Sequence, residues 1–355
     1  MSDILQTVNQ SETDQGTEDR LGSNLHLLAG ASLAGSLVTF LVAPWLTGVF
    51  VIAFLAIVGY GWFAYQERTA KGLMFLATVS TALVLVLIIA FLFYRSAPAF
   101  EHMGLDILYA DGDYWSRADD RYSLYPAIWG TVLTTILATI VAAPLGIASA
   151  IFISEIAPSW AHELMKPAVE TLAGIPSIVY GFIGFTIING YMMDNFGLNS
   201  IGSIIVVGIV VGLMALPTVA SVAEDAVASV PDHMKDGAAA IGATEWQTIK
   251  SVTLPASFSG VSAAVLLGVG RAVGETMAAT VILGNVMQLP EPLYNVFGNT
   301  VTLTSLIASQ YGNSHGLHRE ALFAAGVILF ITVMALSITA QFIEERMKQN
   351  LGGDV

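Results

Sequence analysis

Runs of about twenty residues almost free of charge recur along this chain, and they constrain its fold more than any other feature. An α-helix needs roughly 20 apolar residues to cross about 30 Å of hydrocarbon. No water is present there to bond exposed backbone, so a spanning segment must satisfy its own amides. Charged residues make up 11% of the chain, against about 25% in a soluble domain. The expected fold class is an all-α polytopic membrane protein. Eight spans are expected, near residues 26–45, 46–65, 73–94, 128–153, 171–190, 201–221, 258–284 and 321–343. Pro44 separates the first two, as a tight hairpin or as one kinked helix. With no cysteine, the chain has no disulfide, thiolate metal site or cysteine nucleophile.

The formal net charge of −14 sits in the tail and loops. Residues 1–25 read as a disordered acidic tail. They lack the basic start of a signal peptide. Glu101, Asp106, Asp111, Asp113, Asp119 and Asp120 crowd the loop after the third span. These acids either keep the loops hydrated in the ordinary way or reflect a high-salt habitat. Positive residues favour the cytoplasmic side. With the tail inside, Arg20, Arg68, Lys71, Lys166, Lys235, Lys250, Arg346 and Lys348 fall inside. Arg95, Arg117, Arg121 and Arg319 fall outside. That bias predicts both termini in the cytoplasm of a multi-pass plasma-membrane protein.

The inside loop 224–255 is too long and too patterned to be a mere connection. Asp232 is positioned to cap a helix whose apolar face is Met234, Ala238 and Ile241. Gly242 suits a left-handed residue just past its end. Thr244 and Gln247 form a capping-box pattern. Trp246, Ile249 and Val252 give the second helix a narrow ridge, and Leu254-Pro255 is expected to stop it. Such a loop is either a docking surface for another protein or a helix lying on the membrane interface.

The same loop resembles the coupling loop of ABC-importer permeases. That loop has the form Glu-Ala-Ala, three residues, Gly, nine residues, Ile, any, Leu-Pro. Here Asp236-Gly237-Ala238 is followed by Gly242, and then by Val252-Thr253-Leu254-Pro255 at the same spacing. The first positions depart, Glu to Asp and Ala to Gly. Two further segments, Leu267 to Ala278 around Arg271-Ala-Val-Gly-Glu275, and Glu170 to Gly181, resemble the phosphate-specific branch, PstC-type more than PstA-type. The resemblance runs from about Leu73 to the C-terminus. It implies a six-span permease core, residues 66–355, with 26–65 as an added hairpin. It also implies a sister permease (PstA-like), two ATPase subunits (PstB-like) that bind Mg-ATP, and an extracytoplasmic phosphate-binding protein (PstS-like). This chain has no Gly-Lys pair and so no phosphate loop of its own. It is expected to be a transport subunit rather than an enzyme, with no cofactor and no metal. Asp236, Gly237, Ala238, Gly242, Trp246, Leu254 and Pro255 would form the ATPase contact.

Within the spans, Arg271 and Glu275 stand out, because charge at membrane depth is expensive and marks function by default. Four residues apart, they are expected on one helix face as a pair. The pair either lines the path of an oxyanion, which a guanidinium grips bidentately, or merely holds helices together. Gly270 and Gly274 form a small-residue face open to another helix. Pro176, with Ser177 and Tyr180 after it, either kinks a span for packing or lines a cavity with hydroxyls. Sulfate, molybdate and tungstate remain alternative cargoes. An ion-driven secondary transporter would have no use for the docking loop. An integral electron-transfer subunit would place histidines inside the spans.

Overall fold

The computed structural model describes residues 27–109, 112–196 and 202–350. The expected acidic tail, residues 1–25, lies outside these. The chain divides into two compact units, one up to Ala90 and one from Phe91.

The first unit holds α1 (Leu27–Val42), α2 (Pro44–Ala64) and the start of α3 (Gln66–Met103). The break at Ala43–Pro44 makes a hairpin rather than a kinked helix. Gly35 packs against the Phe50 ring, fifteen residues on, and a continuous helix would hold those positions about 22 Å apart. Gly61 and Gly30 let α2 and α1 lie against Thr69 and Leu76 of α3. Residues 66–72, left between the second and third expected spans, are helical and belong to α3. Only Tyr65 separates α2 from α3.

The second unit begins within α3 and continues through α4 (Asp106–Tyr109). A two-residue ladder follows, β1 (Trp115–Ser116) with β2 (Arg121–Tyr122). Its spanning helices are α5 (Tyr125–Ile151), extended by a wider π turn at Phe152–Ile156, and α9 (Ile204–Ala228). Between them lie α6 (Ser159–Ala173), α7 (Ser177–Ile183), a π turn at Gly184–Asn189 and α8 (Gly190–Phe196). The chain bends by 88° between α6 and α7. Pro176 therefore marks a break between two helices, not a kink within one.

After α9 come α10 (Asp232–Ala240), α11 (Glu245–Thr248), a π turn at Ile249–Thr253 and α12 (Leu254–Val273). Short helices α13 (Met277–Leu283) and α14 (Leu303–Gln310) precede α15 (Gly316–Asn350). Among the described residues six helices are long and apolar enough to cross a membrane, or seven stretches if the bent pair α6–α8 is one span; α1, where the first span was expected, is shorter than that.

Two expectations fail around the seventh span. Leu254-Pro255 does not stop the second loop helix, because helical backbone runs from Glu245 to Val273. Proline lacks an N–H and crowds the carbonyl four residues back; the π turn immediately before it loosens the ladder at that point. The span also does not run unbroken to residue 284, since α12 ends at Val273.

Packing centres on α5, α9 and α12. Gly146 of α5 and Gly268 of α12 both face Val219 of α9, where a Cβ on either would collide. Ala142, Ala215, Ala223, Val261 and Ala264 fill the seam. At the other end of the unit, Ile107, Tyr122, Leu124, Leu303, Leu306 and Leu322 form a separate core. There the Tyr122 ring stacks on His318, and Trp115 Nε1 donates to Gln310 Oε1 at 2.9 Å. Burial, reinforced by the charge of Asp120 beside it, pushes the Tyr122 hydroxyl above its usual pKa.

Candidate functional site

Close contact at Gly268 and Val219 brings the last turn of α12 against the middle of α9. One turn further along α12, Arg271 Nη1 donates to Thr218 Oγ1 at 3.1 Å. Thr218 lies fourteen residues from the start of α9 and ten from its end, so about 21 and 15 Å along the axis. The guanidinium is therefore near mid-span. Among the described residues it has no carboxylate partner.

Glu275 is not that partner. The expected pairing on one helix face fails because the helix ends between the two residues. Gly274 closes α12, and Glu275 sits in the break before α13. Its Oε1 accepts the Ala278 amide at 3.0 Å, tying off the first turn of α13, and its carbonyl accepts Thr304 Oγ1 at 2.8 Å. Free N–H groups at a helix start draw a carboxylate more readily than a helix that has already ended.

The other two predicted path residues lie beyond the α6–α7 break. Tyr180 donates its hydroxyl to the Leu172 carbonyl at 3.2 Å, bracing the bend from α7 back to α6. Ser177 is half-buried at the start of α7. α7 packs directly on α13 where Gly181 meets Ala278, a Cβ on the glycine falling 2.9 Å from the Ala278 Cα. The two helices that follow the two breaks are thus neighbours. Among the described residues, a Cβ built on Gly270 meets nothing within 4 Å and one on Gly274 meets only its own helix.

The loop carries its expected devices with one change. Pro231, not Asp232, occupies the cap position of α10, and Asp232 is the first helical residue. A proline pre-sets the extended backbone needed there. Gly242 has φ +86°, and two backbone bonds close the helix end around it: Gly242 to Ala239 at 2.9 Å and Ala243 to Ala238 at 3.1 Å. This is the Schellman arrangement. Thr244 and Gln247 make both halves of the capping box. Met234, Ile241 and Trp246 are exposed, Ile241 at 88%, while Ile249 is buried against the bundle. Asp236 and Gly237 are exposed on α10, and Ala238 is half-buried.

Two ion pairs tie this end together, and neither was expected from the sequence. Lys235 of α10 meets Glu155, at the end of α5, at 2.6 Å. Lys166 of α6 meets Glu224 of α9 at 2.6 Å, with His162 3.6 Å from the same carboxylate and Asp225 3.4 Å from the lysine. The partners are 80 and 58 residues apart, so no local spacing announces them. The only available signal was Glu224 itself, a charge one turn before the end of an apolar helix.

Long apolar helices, a capped loop with exposed apolar residues and an arginine near mid-span fit a transport subunit. Residues 142–349 match the family described as "Binding-protein-dependent transport system inner membrane component", and the chain belongs to that family. It is 38% identical over 234 residues to the probable ABC transporter permease protein YqgH of Bacillus subtilis, covering 65% of this chain and 74% of that one. It is 34% identical over 259 residues to the phosphate transport system permease protein PstC of Haemophilus influenzae, covering 67% and 81%. It is also 34% identical over 277 residues to PstC of Pasteurella multocida, covering 72% and 85%. Family membership makes the chain a transport component that works with ATPase and binding-protein partners, rather than an enzyme.

Proposed function

We propose that this chain is the PstC-like permease of an ATP-driven importer of inorganic phosphate. Its relatives named as phosphate permeases support the cargo. The observation that carries the mechanism is Arg271, a guanidinium near mid-span with, among the described residues, one hydrogen bond and no carboxylate partner. Such a charge is costly in a bilayer, about 2.5–3.5 kcal/mol on insertion scales, and an oxyanion passing beside it offsets that cost. A planar fork of N–H groups suits a phosphate oxygen pair.

Glu275 then acts by fixing the break beside Arg271, and Tyr180 by bracing the neighbouring break. Ser177 is the hydroxyl on that side with no protein partner among the described residues. A PstA-like sister permease completes the path, and a PstS-like protein delivers phosphate from outside. A PstB-like ATPase pair docks on the loop at exposed Asp236, Gly237 and Trp246 and half-buried Ala238. Gly242 sets the loop's angle, while Leu254 and Pro255 carry its motion into α12. Both termini lie in the cytoplasm on this reading.

The test is uptake of radiolabelled phosphate, sulfate and molybdate in cells with and without the chain. Loss of phosphate uptake alone is the expected result. Unchanged phosphate uptake with loss of sulfate or molybdate uptake overturns the cargo.

A further inference from the structure

Threonines inside apolar helices usually spend their hydroxyl proton on the carbonyl one turn back. Most helical threonines of this chain follow the habit, though the buried hydroxyls of Thr47 and Thr253 find no partner at all. In α5, Thr131, Thr134, Thr135 and Thr139 each donate to the carbonyl four residues earlier at 2.7–2.8 Å. Thr332 and Thr339 of α15 do the same at 2.8 and 2.7 Å. Thr218 of α9 does not. Its oxygen accepts Arg271 Nη1, and among the described residues nothing takes its proton. The hydroxyl is half-buried near mid-span, where an unused donor is costly. Only one of the five N–H donors that an arginine carries is engaged.

We propose that Thr218 is a second ligand of the transported oxyanion, donating its hydroxyl proton to an anion oxygen while its lone pair holds the Arg271 guanidinium. This assignment rests on the reading of Arg271 as the anion's partner and adds a residue on a different helix. A hydroxyl can donate to one group and accept from another at the same time, so the two contacts do not compete. The arrangement makes the α9–α12 seam a two-sided grip. The seam can form because Gly268 lets the helices approach.

The experiment uses the whole transporter in cells, with radiolabelled inorganic phosphate as probe and permease level and ATPase co-purification measured in parallel. Thr218→Val keeps the shape and removes the hydroxyl. It should slow uptake about tenfold or more, the effect of losing a hydrogen bond to a charged group. Thr218→Ser should keep most of the rate. If Thr218→Val accumulates poorly, Thr218→Ala gives the same reading per permease molecule. Wild-type rate in Thr218→Val, or equal loss in Thr218→Ser, overturns the proposal. Thr218→Val is also placed on Arg271→Lys. A further loss there supports direct contact with the anion, and no further loss shows that Thr218 acts only through the guanidinium, which overturns it. Failure of the underlying reading looks different: near-normal uptake in the Arg271→Gln, Glu275→Gln double variant removes Arg271 from the path altogether.

Discussion

Two glycines five residues apart in the loop should respond to the same substitution with opposite signs. Gly242 has φ +86°, and a Cβ built there meets nothing within 4 Å. Alanine at that position is therefore strained by backbone conformation alone, which costs about 1–2 kcal/mol. The strain bears on the two bonds that close α10. Gly237 also has open space around its Cβ position, but it lies inside α10. Alanine there relieves the entropy cost of a helical glycine, a gain of about 0.5–1 kcal/mol. The coupling-loop pattern itself carries alanine at that position, so the change should not obstruct docking. The two variants thus differ by about 2 kcal/mol, roughly thirtyfold in the population of the folded loop. Limited proteolysis of the detergent-purified complex reads that population at residues 230–256, and co-purification reads ATPase docking. Gly242→Ala should be cut faster and lose ATPase, and Gly237→Ala should be cut more slowly. Equal cleavage of the two, or protection of Gly242→Ala, would refute the backbone argument.

Lys235→Gln strands the Glu155 carboxylate, whose side chain is 10% exposed. The expected cost is about 3 kcal/mol, the low end for breaking a buried pair because the lysine is partly wet. Thermal unfolding of the complex should show it, with partial recovery in the reversed pair Lys235→Glu, Glu155→Lys. For Arg271, Gln should abolish phosphate uptake, since a neutral amide cannot offset the desolvation of the anion, and Lys should retain part of it. Deleting residues 1–65 removes α1 and α2 but leaves α3 whole. Phosphate uptake should persist, with a lower yield of assembled complex; an inserted but inactive truncation would place the hairpin in the transport machinery.

Apolar length located most of the spans, because a bilayer imposes one requirement on each of them, but it did not show the 88° bend in the fifth or the end of the seventh at Val273. The loop devices at Gly242 and Thr244 were legible for a related reason: caps are local, and their residue types act within four positions. The failures lie where the outcome depends on a choice between local and distant partners. Glu275 was read as the partner of Arg271 by spacing, yet a break one residue earlier gave it the Ala278 amide instead. Pro255 was read as a stop, and the π turn before it absorbed the proline. Nothing in the sequence singles out Thr218. Its role appears only when Gly268 brings α12 against α9, a contact between residues 49 or more positions apart in sequence.

The geometry also links the two ends of the core through one helix. α9 carries Glu224, which receives Lys166 from α6, and Thr218, which receives Arg271 from α12. Six residues separate them, about 9 Å along the axis. Pro217 lies just before Thr218, on the side away from Glu224, and removes one rung of the hydrogen-bond ladder there. α5 runs alongside, in contact at Gly146 and Val219, and its far end holds the loop helix through Glu155 and Lys235. A displacement of α10 therefore reaches α5 directly through an ion pair, and α5 and α12 both press on the same valine of α9, next to Thr218. The loop and the mid-span cation are connected by packed helices and one ion pair. The backbone that leads from one to the other along α11 and α12 is a second, parallel route.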